Sequence, residues 1–176
     1  MRLVDNAFAI DVRVFRWCQQ RRYKKALILL ARQVSRSADG YLYLVIGGFA
    51  LYFNYYAFFV LTAGAVAIER TLYFIAKNSF RRNRPPEIIP GFRSVVTASD
   101  KFSFPSGHTS AAFLMSTAIA IYFPSLALVL YPWAVCVGWS RVMLGVHFPG
   151  DSLAGALLGS SVVLLLYNYI SHLLIF

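Results

Sequence analysis

Charged side chains are scarce in this chain: they make up 14% of its 176 residues, against about 25% in a soluble domain. A water-exposed globular surface is hard to build from so few, and the shortage points to a membrane protein, read here as one compact domain over 1–176. Acids are scarcer still, 7 Asp+Glu against 17 Lys+Arg, for a net charge of +10. The cations gather in the first 36 residues and at the edges of apolar runs. That distribution makes anionic lipid the expected partner and excludes nucleic acid. There are two cysteines, Cys18 in a basic segment and Cys136 inside an apolar run. They offer no metal-ligand spacing, and no disulfide is inferred from them. The first 25 residues lack an uninterrupted apolar core, so no cleavable signal peptide is visible. No internal repeat or low-complexity linker is present, and nothing sets an oligomeric state.

What the chain does have is apolar length. Tyr41 to Ala76 is broken only by Asn54, Thr62, Glu69, Arg70 and Thr71. It is too long for one span and fits two, turning near Asn54-Tyr55. Further spans are expected from about Pro105 to Phe123, Leu126 to Trp139 and Asp151 to Ile170, with a tight turn at Pro124-Ser125. Lipid admits only helices or closed barrels, and these runs have helix length. The expected fold class is therefore all-α: an integral membrane bundle of about five transmembrane helices over 39–176. Before it lies a basic arm, 1–38. Leu3, Ala7, Ile10, Val14 and Trp17 recur there at helical spacing, beside Phe8 and Phe15, which suits a helix in the headgroup plane. Ala26 to Ala31 reaches only about 9 Å as a helix and reads as a second interfacial helix. A solvated basic arm is the alternative.

An up-and-down bundle puts the loops 77–104 and 140–150, and the arm, on one side of the membrane. Three chemistry-bearing stretches then share that side. In the first, positions seven apart on a helix differ by about 20°. If the second span continues past Lys77, then Lys77, Arg81 and Arg84 share a face until Pro85-Pro86 ends the helix. Stacked cations cradle a polyanion, and arginine adds bidentate geometry. Arg81 and Arg82 could also bind headgroups, or simply meet the lipid surface, and Arg82 lies off that face. The second stretch, Pro105-Ser106-Gly107-His108, opens a helix. Its free N–H groups, the close backbone approach at Gly107, the Ser106 hydroxyl and a proton-transferring His108 suit an anion. In the third, Arg141 is a further phosphate ligand. His147 and Asp151 lie four apart, and Pro149-Gly150 leaves His147 on the preceding loop. A carboxylate beside an imidazole fixes its tautomer and supports its positive form. Each stretch also has a plainer reading: a lipid-surface cluster, an N-cap with an interfacial histidine, and a capping Asp151.

Lys77-(six residues)-Arg84-Pro85, Pro105-Ser106-Gly107-His108 and Ser140-Arg141-(five residues)-His147-(three residues)-Asp151 together resemble the three-part signature of the type 2 phosphatidic acid phosphatase superfamily. The resemblance covers residues 77–151. It implies that His147 is the nucleophile and forms a phosphohistidine, that Asp151 orients it, and that His108 is the general acid and then the base for water. It implies that Lys77, Arg84, Ser106, Gly107 and Arg141 bind the phosphoryl oxygens, with no cofactor and no metal. A catalytic set of one carboxylate among many donors is a poor cation site. The implied substrate is a lipid phosphate or diphosphate in the bilayer, and the implied location the bacterial cytoplasmic membrane. A non-hydrolytic protein that binds or transports a phosphorylated lipid is the other class. Nine Lys+Arg against three acids up to Asp39 predict a cytoplasmic arm, hence a cytoplasm-facing site. Glu69-Arg70 reads as a structural ion pair facing the bundle, and Tyr131, Trp133 and Trp139 as interface anchors.

Overall fold

The computed structural model describes residues 2–20, 25–98 and 100–174. Arg21, Arg22 and Lys24 lie outside these, as do the side chains of Arg2, Leu3, Asp5 and Ala7. All regular structure among the described residues is helical. In chain order it is α1 (Arg2–Gln20), α2 (Lys25–Arg36), α3 (Gly40–Tyr52), α4 (Tyr56–Phe80), the single turn α5 (Pro85–Ile88), α6 (Gly107–Tyr122), a 3-10 turn (Pro124–Leu126), α7 (Ala127–Met143) and α8 (Pro149–Leu174).

Each of the five expected apolar runs forms a helix. Three of them are long and apolar enough to cross a membrane, and only 33%, 33% and 22% of their apolar windows is buried inside the protein. The remainder faces outward, as the 83% exposure of Leu128 does. Lipid is the solvent that suits such a surface. The other two are shorter: α3 has 13 residues and α6 has 16, about 20 and 24 Å at 1.5 Å per residue.

Helix α6 is the central element. Thr109, Ser110, Ala112 and the run Leu114 to Ala118 are all buried, covering most of its circumference. Two glycines let α8 lie against it. A Cβ on Gly155 would come within 2.5 Å of the Ser106 carbonyl, and one on Gly159 within 2.1 Å of the Ser110 carbonyl. Small residues four apart permit this backbone approach in membrane helices. Helix α4 turns inward a stripe of five residues spaced four apart, Leu61, Ala65, Glu69, Tyr73 and Lys77. It starts in a hydrophobic cluster with Leu114, Ala118 and Val163 and ends in polar groups. So the apolar core lies at one end of the bundle. The C-terminal ends of α4 and α7 and the N-terminal ends of α6 and α8 meet at the other.

The arm docks on that polar end. Phe15 and Cys18 of α1 are buried with Val142 and Phe148, while Ile10, Val14 and Trp17 of the expected stripe stay exposed. Burying Phe15 contributes about 1.5–3 kcal/mol. The outward stripe suits the headgroup plane, and the Phe15 face ties α1 to the site loop. Helix α2 packs on α7, with Ala31 in a cluster containing Leu144 and Val146.

One expectation about α4 fails. The second long helix does not carry Lys77, Arg81 and Arg84 on one face. It stops at Phe80, and Arg81 takes a left-handed conformation (φ 44°) with its N–H bonded to Lys77 O. Arg81 is exposed and outside the site. Arg84 returns on extended backbone just before Pro85.

Candidate active site

Arg84, Gly107, His108, Arg141 and His147 line one cavity of about 390 Å³. Tyr43, Leu44, Val66, Leu114 and Met115 of α3, α4 and α6 also line it, an apolar extension beside the Glu69-Arg70 pair. Lys77, Ser106 and Asp151 stand just behind this wall. Ser106 is wholly buried, and its hydroxyl shares a 2.9 Å hydrogen bond with Thr109 Oγ1. All eight residues that the resemblance assigns to the site thus come to one end of the bundle.

The cations converge on a residue that the motifs did not indicate. Lys77 Nζ and Arg84 Nη2 both bond the carboxylate of Asp100, and Tyr73 donates to it at 2.6 Å. Arg84 Nε also reaches the Asp100 carbonyl at 3.0 Å, and Nη1 donates to Val146 O at 2.5 Å. Burial alone would raise the Asp100 pKa. The hydrogen bonds from Lys77 and Tyr73 and the charges of Lys77 and Arg84 outweigh it and hold it at about 2. Asp100 also lines the cavity. Arg141 donates from Nη1 to Ser35 Oγ at 2.7 Å.

His147 sits on the loop between α7 and α8, as Pro149-Gly150 implied, and is 2% exposed. Asp151 Oδ2 is 3.6 Å from its Nδ1, beyond hydrogen-bond length, and accepts the Phe148 N–H at 2.8 Å. Burial pushes the His147 pKa down to about 4, with Arg84 and Arg141 adding to the effect and Asp151 opposing it. The imidazole is therefore neutral at pH 7. His108 Nε2 lies 3.1 Å from Asp39 Oδ1, so each histidine has its own carboxylate.

Arg82 was expected at the lipid surface. Instead its Nη1 donates to Asp151 Oδ1 at 2.7 Å. Its Nη2 lies 2.7 Å from Asp11 Oδ2, an ionic approach with the N–H off the hydrogen-bond line. Its guanidinium stacks over Phe148 at 4.3 Å. Asp11 in turn accepts the Gly150 N–H at 2.8 Å. The arm thereby fixes the loop that carries His147. The physical reason for the change is the stop at Arg81: the helix ends there in a left-handed residue, and Arg82 leaves the helical register and turns inward. Asp11, Asp39 and Asp100 escaped sequence reasoning. The one available signal was that they are three of only 7 acids in a strongly basic chain.

Glu69 is 1% exposed, pairs with Arg70 at 2.6 Å and accepts from Ser110, and both residues of the pair line the same cavity. Trp133 Nε1 donates to Ser37 Oγ at 2.8 Å and Tyr131 bonds Thr117, so these two rings also have partners within the protein.

Comparison with known proteins gives the same picture. Among solved structures, LpxE of Aquifex aeolicus superposes with a TM-score of 0.80 at 25% identity, covering 89% of this chain and 94% of that one. The transmembrane phosphatidylglycerolphosphate phosphatase of Bacillus subtilis gives 0.79 at 24% identity, covering 95% and 87%. Decaprenylphosphoryl-5-phosphoribose phosphatase of Mycobacterium tuberculosis is 36% identical over 107 residues, 58% of this chain. The match spans just over half of that relative, 56% of its length. Residues 49–174 match the family described as the PAP2 superfamily. That match takes in every motif of the cradle and most of the bundle, and the chain belongs to the PAP2 superfamily.

Proposed function

We propose that this protein removes a phosphate from a membrane lipid phosphate or diphosphate, without a metal ion, through a phosphohistidine intermediate. The observation that carries the reading is the one cavity that joins His108, His147, three arginines (Arg70, Arg84 and Arg141) and apolar side chains suited to a hydrocarbon chain. Lys77, Arg84 and Arg141 would hold the phosphoryl oxygens with the Gly107 backbone, and Ser106 would support the helix N-terminus behind it. Preorganised donors of this kind stabilise charge that develops in the transition state. The neutral His147, with Nδ1 toward Asp151, attacks phosphorus through Nε2. The P–O bond to the lipid breaks as His108, held by Asp39, gives its proton to the departing oxygen. His108 then takes a proton from the water that cleaves the P–N bond, releasing phosphate. Asp151 supports the imidazolium meanwhile.

A lipid phosphatase also fits what the M. tuberculosis relative is named for. The bacterial cytoplasmic membrane is the location we infer, with 1–38 as a basic arm on anionic headgroups and the site on the cytoplasmic side. The test is phosphate release by the detergent-solubilised protein. Release should survive excess EDTA and stop with vanadate, which mimics five-coordinate phosphorus. Loss on chelation, restored by magnesium, contradicts the mechanism. Phosphate binding without release points to the non-hydrolytic class.

A further inference from the structure

A second cavity, of about 500 Å³, adjoins the first. Asp39, His108 and Arg141 line both, so the two meet where the departing oxygen takes its proton. The volume lies in the usual range of ligand sites. Its remaining wall is α2, the stretch 95–97 and Leu144, and its polar groups include Arg32, Arg36 and Thr97. Three guanidiniums therefore face this space against one carboxylate, Asp39, already engaged with His108. Arg32 spends Nη2 on the Val95 carbonyl at 3.0 Å, while its buried Nε has no hydrogen-bond partner. Arg141 Nε is likewise buried without one. Arg36 is exposed and makes no ion pair among the described residues.

This arrangement does not suit a neutral leaving group such as diacylglycerol. It suits a second anion. Resting on the phosphatase reading above, we propose that the cavity binds a phosphate or phosphodiester carried on the leaving group, near the attacked phosphoryl. The reacting phosphate sits at His147, the second anionic group lies at Arg32 and Arg36, and hydrocarbon occupies the apolar extension. The substrate class is then a lipid with two phosphorus centres rather than a simple phosphatidate.

The experiment uses the full chain in uncharged detergent, which removes attraction to an anionic surface. Two lipids with identical acyl chains are compared: phosphatidylglycerophosphate, whose leaving group is anionic, and phosphatidate, whose leaving group is neutral. The wild type should favour the first in kcat/KM. Charge-assisted hydrogen bonds are strong, so Arg32→Gln and Arg36→Gln should each lower that preference about 10- to 100-fold, mainly through KM. Both lipids are measured on one preparation, so partial misfolding cancels. Arg36, exposed and unpaired, is the variant least able to disturb the fold. A wild type indifferent to the two lipids, or an unchanged preference in both variants, overturns the proposal. An unchanged preference with a raised inhibition constant for inorganic phosphate assigns the cavity to released phosphate, and overturns it too. Release from neither lipid by the wild type overturns the phosphatase reading itself.

Discussion

Arg82 Nη1 lies 2.7 Å from Asp151 Oδ1, and the carboxylate it holds is wholly buried beside His147. Asp151 divides its two oxygens between Arg82 and the Phe148 N–H. Its position depends on a guanidinium five residues along from Lys77, and in the proposed mechanism Asp151 orients His147.

Arg82→Ala should therefore lower kcat. Loss of a residue that orients a catalytic group through another typically costs about 10- to 100-fold. KM should change little, since Arg82 is behind the phosphate site. Arg81→Ala, with its side chain exposed, should stay within about twofold of wild type, as surface substitutions usually do. Steady-state kinetics of the two neighbours checks this, and equal losses at 81 and 82 would contradict the geometry.

Asp100 occupies Lys77 and Arg84, the cations that would hold phosphate in the proposed mechanism. In Asp100→Asn that competition is gone, and inorganic phosphate should inhibit more strongly. Two unit charges 4 Å apart interact by about 1 kcal/mol even in water, so a roughly fivefold fall in the inhibition constant is expected. A rise would mean that Asp100 serves mainly to hold Arg84 in place. The carboxylate's stabilising contribution should be complete above about pH 4 and vanish as pH falls through about 2, because its folded pKa is depressed.

His147 should resist protonation. Its pKa is depressed to about 4 from 6.5, so between those values the unfolded chain binds a proton that the folded site refuses. Stability should fall as pH drops through that window and be unaffected by His147 above it. Histidine ¹⁵N NMR of the wild type against His147→Gln checks this. A His147 midpoint near 6.5 would show an imidazole more open to water than this one.

Topology is testable with a cysteine placed at Ser94, on the loop that reaches the site. A thiol reagent that cannot cross membranes should leave it unlabelled in intact cells, because the basic arm predicts a cytoplasmic face. Ready labelling would reverse the orientation.

The helices were legible because long apolar runs leave the backbone little choice in lipid. The three motifs were legible because they lie at the edges of those runs, which fix their side of the membrane. Two kinds of information were not. The end of α4 was invisible, because no glycine marks it and Arg81 itself takes the left-handed conformation. The acids that complete the site were invisible because each acts across the fold. Asp11 bonds Gly150 at a separation of 139 residues and Asp39 meets His108 at 69. No periodicity encodes such pairs. They follow from how α1 and the start of α3 dock on the bundle.

The covalent step is the centre of this account, and acid-quenched mass spectrometry of the protein with an aryl phosphate tests it most directly. Nitrophenolate leaves without a proton, so the wild type and His108→Ala should both carry phosphate on the peptide containing His147. His147→Ala should carry none and turn over no substrate. Phosphate found on His108, or robust turnover by His147→Ala, would contradict the account.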